Sequence, residues 1–361
     1  MKLELAMVEI PDRAEVAHAD DYRDAIDVAN TVSVHLWGND DFVYTPEDEL
    51  ATFASGDFRE TFIVLARLDG LPVGRVTVSF PLDPDATTAG LDVTVVPAVR
   101  RHGIGRTLLL RAEELAATGG RTHLSMYSET PTHPVPVAED LPAASGVRGL
   151  PRTDPTTTFA LANGYTLGQV EVMSQLDLPV AAELIDPLMA DALAHSQGYH
   201  LAHWWRRTPD RYADGFAALR SRMVHDVPHE TIVLEPEVWD ATRVRLDDQR
   251  MIDRGEPYLT TVAVHTATGE LAAYTALAVP AGSAKVEQHD TLVAAPHRGH
   301  RLGMLVKLAN LQELARITPA ARRILTWNAG ENDHMLAINQ ALGFRESGLI
   351  GNWQKTLPES I

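Results

Sequence analysis

The chain has 361 residues, which at roughly 150 residues per domain corresponds to about two domains. Its 49 Asp and Glu against 31 Lys and Arg give a formal net charge of −18, which repels nucleic-acid phosphates and attracts small molecules bearing amines. A hydrophobic content of 45% with 22% charged residues is ordinary globular usage, and the absence of Cys excludes disulfides, thiolate metal sites and Cys nucleophiles.

MKLELAMVEIPDRAE lacks a long apolar core and a small-residue cleavage site, so no signal peptide is expected. No uncharged apolar run approaches the ~20 residues that span a bilayer, so the expected location is cytoplasmic, with no membrane partner. Residues 14–35 read as a helix. Thr61 to Phe80 reads as two strands joined at Asp69-Gly70. Leu91 to Leu110 reads as a strand, a basic Gly-containing loop and a helix, and THLSMYSE (122–129) as the next strand. A stretch dense in Pro and Gly, Glu129 to Pro155, has no periodicity and reads as a loop excursion, a lid or an interface arm. Asn163-Gly164-Tyr165 then leads to a closing strand, QVEVMSQLDL (169–178).

The remainder repeats this order. AAELIDPLMADALAHSQ (181–197) reads as a connecting helix, GYHLAHWW (198–205) as a first strand, and Asp210 to Met223 as a helix. Tyr258 to Val279 reads as a hairpin with its turn near Thr268-Gly269. RRILTWNAG (322–330) is a strand, and Leu342-Gly343-Phe344 precedes the closing strand GLIGNWQKTL (348–357). At one offset, 289 − 91 = 198, Asp92 meets Asp290, Val95 meets Val293, Arg100 meets Arg298, His102 meets His300, Ile104 meets Leu302 and Gly105 meets Gly303. The expected division is therefore 1–178, a connector at 179–198, and 199–361.

A strand that feeds a basic Gly-containing loop opening a helix is an anion cradle, because successive backbone N–H groups and the helix N-terminus face one point. No GxxxxGK[ST] is present, and Gly103-Ile104-Gly105 lacks the third Gly of a dinucleotide fingerprint. The pattern that remains is Val95-Val96-Pro97-Ala98-Val99-Arg100-Arg101-His102-Gly103-Ile104-Gly105. It resembles the pyrophosphate loop of the GNAT superfamily of N-acyltransferases. The second copy departs from it: Ala295 stands where Pro is usual, and Arg301 replaces the first Gly. TWNAGENDHMLAINQALGF (326–344) and, less closely, ALANGY (160–165) resemble the helix and Gly-aromatic step near the end of such domains. The resemblance covers nearly the whole chain as the tandem two-domain type of actinobacterial acetyltransferases.

The resemblance implies an α/β fold of two tandem GNAT-like domains, each a mixed, splayed sheet flanked by helices. It implies acetyl-CoA or another acyl-CoA as donor, a small amine-bearing acceptor, and direct attack without a covalent enzyme intermediate. The chain would act as a monomer or homodimer. Implied donor-binding residues are Val95, Val96, Arg100, Arg101, His102, Gly103, Ile104, Gly105 and Arg106 in the first half. In the second they are Leu292, Val293, Arg298, Gly299, His300, Arg301, Leu302, Gly303, Met304 and Asn332. An N–H near Val96 or Ala294 would receive the thioester oxygen. A base commonly lies on the strand before the loop, where Glu287, His289, Asp290 and Asp92 stand. The usual Tyr acid falls at Asn339 and Ala160, neither of which is a usable acid, so water, another group or a lost activity stays open.

Glu287, Asp290 and Asn332 sit together only in the second half, which favours that half for catalysis. Asp92 and Asp290 fit a loop-holding carboxylate as well as a base. The pairs His297/His300, His200/His203 and His225/His229 lack metal-site context, and no metal is expected. Trp204-Trp205 read as aromatics at the joint between halves, and Tyr165 and Phe344 as core. Two alternatives to an acetyltransferase stay open. One is a non-catalytic acyl-CoA binder or sensor; the other is transfer from an unusual donor, an aminoacyl-tRNA or a one-carbon carrier.

Overall fold

The computed structural model describes residues 2–13, 15–53, 58–83, 85–131, 140–223, 232–233 and 237–358. In chain order the first elements are β1 (Leu3–Val8), α1 (Asp20–Trp37), α2 (Pro46–Phe53), β2 (Arg59–Leu68), β3 (Leu71–Pro81) and β4 (Thr88–Val95). There follow α3 (Ile104–Thr118), β5 (His123–Pro131), β6 (Asp140–Pro142), β7 (Gly149–Pro151), α4 (Pro155–Ala162), β8 (Thr166–Asp177) and α5 (Ala182–His195). Next come β9 (Tyr199–Trp205), α6 (Asp210–Ser221), α7 (Ala241–Asp253), β10 (Tyr258–His265), β11 (Leu271–Ala278) and β12 (Lys285–Val293). The last are α8 (Leu302–Ile317), β13 (Arg323–Ala329), α9 (Asp333–Ala341) and β14 (Arg345–Thr356). Among the described residues no helix is long and apolar enough to cross a membrane.

The chain divides into two compact units, and the division is not the linear one read from the sequence. The first unit holds residues 1–170, 229–235 and 349–361; the second holds 171–228 and 236–348. Strand order in the first is β1-β2-β3-β4-β5, then residues 349–356 of β14, then residues 166–170 of β8. In the second it is β9-β10-β11-β12-β13, then residues 171–177 of β8, then residues 345–348 of β14. A closing strand thus lies beside the half of the sequence that did not supply it. Sequence patterning marks a segment as a strand but does not name its neighbour.

Alternation along β2 builds two cores on the first sheet. Val64 and Ala66 join the cluster under α3, while Ile63 and Leu65 join the one under α1 and α2. Trp353, fully buried, fills the α3 cluster, and its indole N–H donates to Ser128 Oγ at 2.9 Å. Lys355 reaches the Glu113 carboxylate on α3 at 2.8 Å. In the second unit Trp204 packs on Tyr212 and Phe216 of α6 in that unit's own core, instead of serving a joint between halves, and Trp205 is exposed. Tyr165 and Phe344 are buried as expected.

The excursion read as a structureless loop is partly anchored. β6 and β7 form a short antiparallel ladder, and Leu150 and Ala143 are buried in the α3 core. Single apolar residues separated by Pro and Gly leave no period to read. Residues 132–139 lie outside the described residues.

Candidate active site

Both units part their central strands at the same point. β4 pairs in parallel with β5 only from Thr88↔His123 to Leu91↔Met126, although its antiparallel ladder with β3 runs on to Val95. β12 likewise pairs with β13 only as far as Gln288↔Thr326, while its ladder with β11 runs on to Val293. One backbone edge of residues 92–95 and of 289–293 is left open. The Val96 amide donates to Val73 and that of Ala294 to Ala272, each at 2.9 Å. Alternation then turns the polar groups of Val93 and Val95, and of Thr291 and Val293, to the open edge. Val96 and Ala294, expected to receive the thioester oxygen, therefore have their amides committed to the neighbouring strand. Leu292 is buried with its register partner Tyr274 in the core under α6.

The loops that follow have one backbone shape written with different residues. In the first, Arg101 (φ 67°) and Gly103 (φ 82°) are left-handed; in the second, Gly299 (φ 89°) and Arg301 (φ 56°) are. Gly and Arg have exchanged places across two left-handed positions, so the loss of the first Gly at 301 leaves the loop's path intact. Alternating backbone handedness of this kind turns successive amides into a concavity. Among the described residues, the amides of residues 101–106 and 299–304 donate to no protein acceptor, and the first helical bonds run from Thr107 to Gly103 and from Leu305 to Arg301. Arg100 Nε donates to the Val95 carbonyl at 3.0 Å, and Arg298 Nε to that of Val293 at 3.3 Å. Each ties its loop to the end of the open edge. Burial lowers the Arg100 guanidinium's affinity for its proton, against the pull of Asp154.

Gly105 and Gly303 let each helix approach. A Cβ on Gly105 would meet Phe159 at 3.3 Å, and one on Gly303 would meet Ile338 at 3.4 Å. Ile104 and Leu302 are buried. Arg101, His102 and Arg106 are exposed on the first loop, as are His300 and Arg301 on the second, whereas Met304 is buried where the first unit has Arg106. Asn332 caps α9, accepting from the Met335 amide at 3.2 Å.

The carboxylates singled out in the second unit are held in ion pairs. Burial alone would raise the Glu287 carboxyl, but Lys285 at 2.6 Å and His289 at 3.8 Å hold it below the usual range. That makes Glu287 a weak proton acceptor. Asp290 accepts from the Tyr274 hydroxyl at 3.0 Å and stands 3.9 Å from Arg220. Arg220 in turn pairs with Asp247 and lies 3.6 Å over the Trp239 ring. Asn339 is buried, and its amide donates to Asn328 Oδ1 at 2.6 Å, pinning α9 to β13.

The first unit carries groups to which the sequence reading gave no role. Tyr127 and Glu129 are on β5, just past the last pair Leu91↔Met126, on the face that alternation assigns away from buried Met126 and Ser128. Trp37, in the last turn of α1, donates its indole N–H to Glu129 Oε2 at 3.0 Å. Burial raises the Glu129 carboxyl; the Trp37 bond opposes this and the nearby Asp92 charge adds to it. The Tyr127 hydroxyl, on a half-exposed residue, is pushed well above its ordinary value, first by the Asp92 charge and also by Glu129. Asp92 itself has Arg75 at 3.6 Å. No spacing signal links a Trp to a Glu 92 positions later.

Tyr199 OH and His297 Nδ1 are 2.9 Å apart, and His265 and His300 pack on the same Tyr ring. Among the described residues no three His, Cys, Asp or Glu groups are placed to hold a metal. His225 and His229 lie outside the described residues.

Comparison with known proteins adds an independent line. Residues 30–135 match the sequence model described as the acetyltransferase (GNAT) family. A tandem GNAT protein from the clavulanic acid biosynthesis pathway is 28% identical, with full coverage of both chains and a TM-score of 0.75. A GCN5-related N-acetyltransferase from Sphaerobacter thermophilus is 13% identical, over 99% of this chain and 97% of that one, with a TM-score of 0.60. A putative acetyltransferase from Pyrococcus horikoshii is 12% identical, over 99% and 90%, with a TM-score of 0.53. At these lower identities the likeness is one of fold. No curated protein matches the chain.

Proposed function

From a chain that carries a GNAT acetyltransferase domain over residues 30–135 within a tandem GNAT fold, we propose an N-acyltransferase that moves an acetyl group from CoA to a primary amine of a small cationic metabolite. The observation that carries this reading is the open edge of β4 ending in a loop whose amides 101–106 have no acceptor among the described residues. Those amides and the start of α3 bind the CoA diphosphate, with exposed Arg101, His102 and Arg106 around it. Val93 and Val95 offer the pantetheine arm a strand edge to pair with. The second loop, Arg298 to Met304, has the same amide concavity and takes a second diphosphate, with Asn332 nearby in the family pattern.

The amine must be neutral when it attacks the thioester carbon; the C–N bond forms, the C–S bond breaks, and the thiolate takes a proton. Nothing in this sequence requires an enzyme-bound acyl group. The sequence favoured the second half for this step through Glu287, Asp290 and Asn332. The Lys285 and Arg220 ion pairs and the buried Asn339 amide favour the first unit instead, and give Glu287, Asp290 and Asn339 a holding role. The net charge of −18 suits a cationic acceptor.

The second reading is an acyl-CoA sensor, favoured by the lack of an acid at Ala160 and Asn339. Calorimetry with acetyl-CoA and a CoA-release assay with primary amines separate the two. Binding with amine-dependent release supports transfer, binding without release supports sensing, and no binding at saturating acetyl-CoA overturns both.

A further inference from the structure

The mouth of the first unit's strand parting collects groups that a diphosphate loop does not need. Asp92 on β4 and Tyr127 on β5 are the first residues past the last paired position, and Glu129 follows two residues on. Glu129 is oriented by the Trp37 indole at 3.0 Å, a bond that reaches across from another element. Arg75 from β3 faces Asp92 at 3.6 Å, and Glu49 from α2 acts on the Tyr127 hydroxyl. Past the last pair of the second unit, Gln288↔Thr326, β13 has Trp327 and Ala329, so among the described residues this constellation belongs to the first unit alone.

We propose that Glu129 is the base that deprotonates the incoming ammonium, that Tyr127 supplies the proton to the departing thiolate, and that Trp37 positions Glu129. This rests on the acyl-transfer reading above and deepens it. The acceptor is a primary ammonium, drawn between Glu129 and Asp92 with the half-exposed Tyr127 ring beside it. The amine gives one proton to Glu129 and attacks the thioester carbonyl. As the C–S bond breaks, Tyr127 gives its proton to sulfur and takes the second proton from nitrogen. Amide and thiol are released, and Glu129 loses its proton to solvent. A carboxyl above its ordinary range accepts a proton better than the ion-paired Glu287, and a hydroxyl above its range stays protonated until the thiolate appears. Tyr127 thus fills the acid's place that Ala160 leaves vacant.

The test is CoA release from acetyl-CoA with putrescine and glucosamine across pH 5–10, with acetyl-CoA affinity measured in parallel. Glu129→Gln is expected to lower kcat/KM by about 10²–10⁴-fold and to remove the acidic limb of the profile, with affinity for acetyl-CoA unchanged. Tyr127→Phe lowers kcat, with a smaller change in KM. Trp37→Phe removes a bond to the ionised carboxylate and moves the acidic limb to higher pH, a shift that a merely structural role would not produce. Release by Glu129→Gln within about threefold of wild type, or an acidic limb that Trp37→Phe leaves in place, overturns the proposal while acyl transfer stands. Wild-type protein that binds acetyl-CoA but releases nothing with either amine overturns the transfer reading and this assignment with it.

Discussion

The two strand partings are the same backbone device with opposite electrostatics. In the first unit, Glu129 at the parting is partly buried near the Asp92 charge, with no cation paired to it among the described residues, and is pushed up. In the second, Glu287 is also partly buried but paired with Lys285, and is pulled down. A buried carboxylate that keeps an unfavourable charge is poised to take a proton, and one with a counter-ion holds strands together. The two units therefore share a backbone frame, and the proposed proton chemistry depends on the side chains around it.

The contrast can be broken from the side of the closing strand. Trp353→Ala should cost about 3–5 kcal/mol, in the range for a fully buried Trp. Although residue 353 is close to the C-terminus, acetyl-CoA binding at the 101–106 loop should be lost before binding at 299–304, read by calorimetry on single-loop variants. Lys285→Met should cost about 3 kcal/mol at neutral pH, because the largely enclosed Glu287 carboxylate loses its nearest counter-ion. Its folded-state pKa is depressed, so the stability it contributes in wild type is present above the ordinary Glu range and is lost as pH falls through the lower folded value. The penalty of Lys285→Met should shrink over that acid window in denaturant titrations, and Lys285→Met/Glu287→Leu should recover most of it.

Lys307 sharpens the comparison inside α8. It is 3% exposed, has the Phe344 ring at 5.8 Å, and burial lowers its amine to about 7. A depressed Lys destabilises the fold wherever the unfolded chain holds the proton, so wild-type stability should rise from about pH 7 towards pH 10. Lys307→Met should flatten that rise and add about 2–4 kcal/mol at pH 7, read from unfolding midpoints. Glu129→Gln should also stabilise at pH 7, since a raised carboxyl loses stability as pH climbs past the ordinary Glu value. The gain should be smaller than for Lys307→Met, and it should come together with the loss of turnover. The smallest effect belongs to the loop. Gly103→Ala places a Cβ at φ 82° and should cost about 1 kcal/mol with a several-fold weaker first-loop affinity. Arg301→Gly relaxes the matching position and should leave second-loop affinity within about twofold.

Much of this was legible in the residues because it is local. Val95 to Gly105 and its copy 198 positions later specify strand, left-handed loop and helix by their own conformational needs, and the hairpin at Asp69-Gly70 has both residues left-handed as that dipeptide requires. Glu129 escaped notice because it opens a Pro-rich stretch that has no period, and its partner Trp37 lies on the first helix. Asp290 was read as either a loop-holding carboxylate or a base; its partners Tyr274 and Arg220 lie on β11 and α6, which no spacing in the sequence marks.

The order of amino acids alone determined that there are two strand–loop–helix junctions of one backbone shape, since each needs only a dozen neighbouring residues and a few tolerated dihedral angles. Tertiary structure alone decided which closing strand seals which sheet and which carboxylate is pushed up and which is held down by an ion pair. Both depend on pairings between distant segments, where strand edges are chemically alike and a group's proton affinity is set by whatever packs against it.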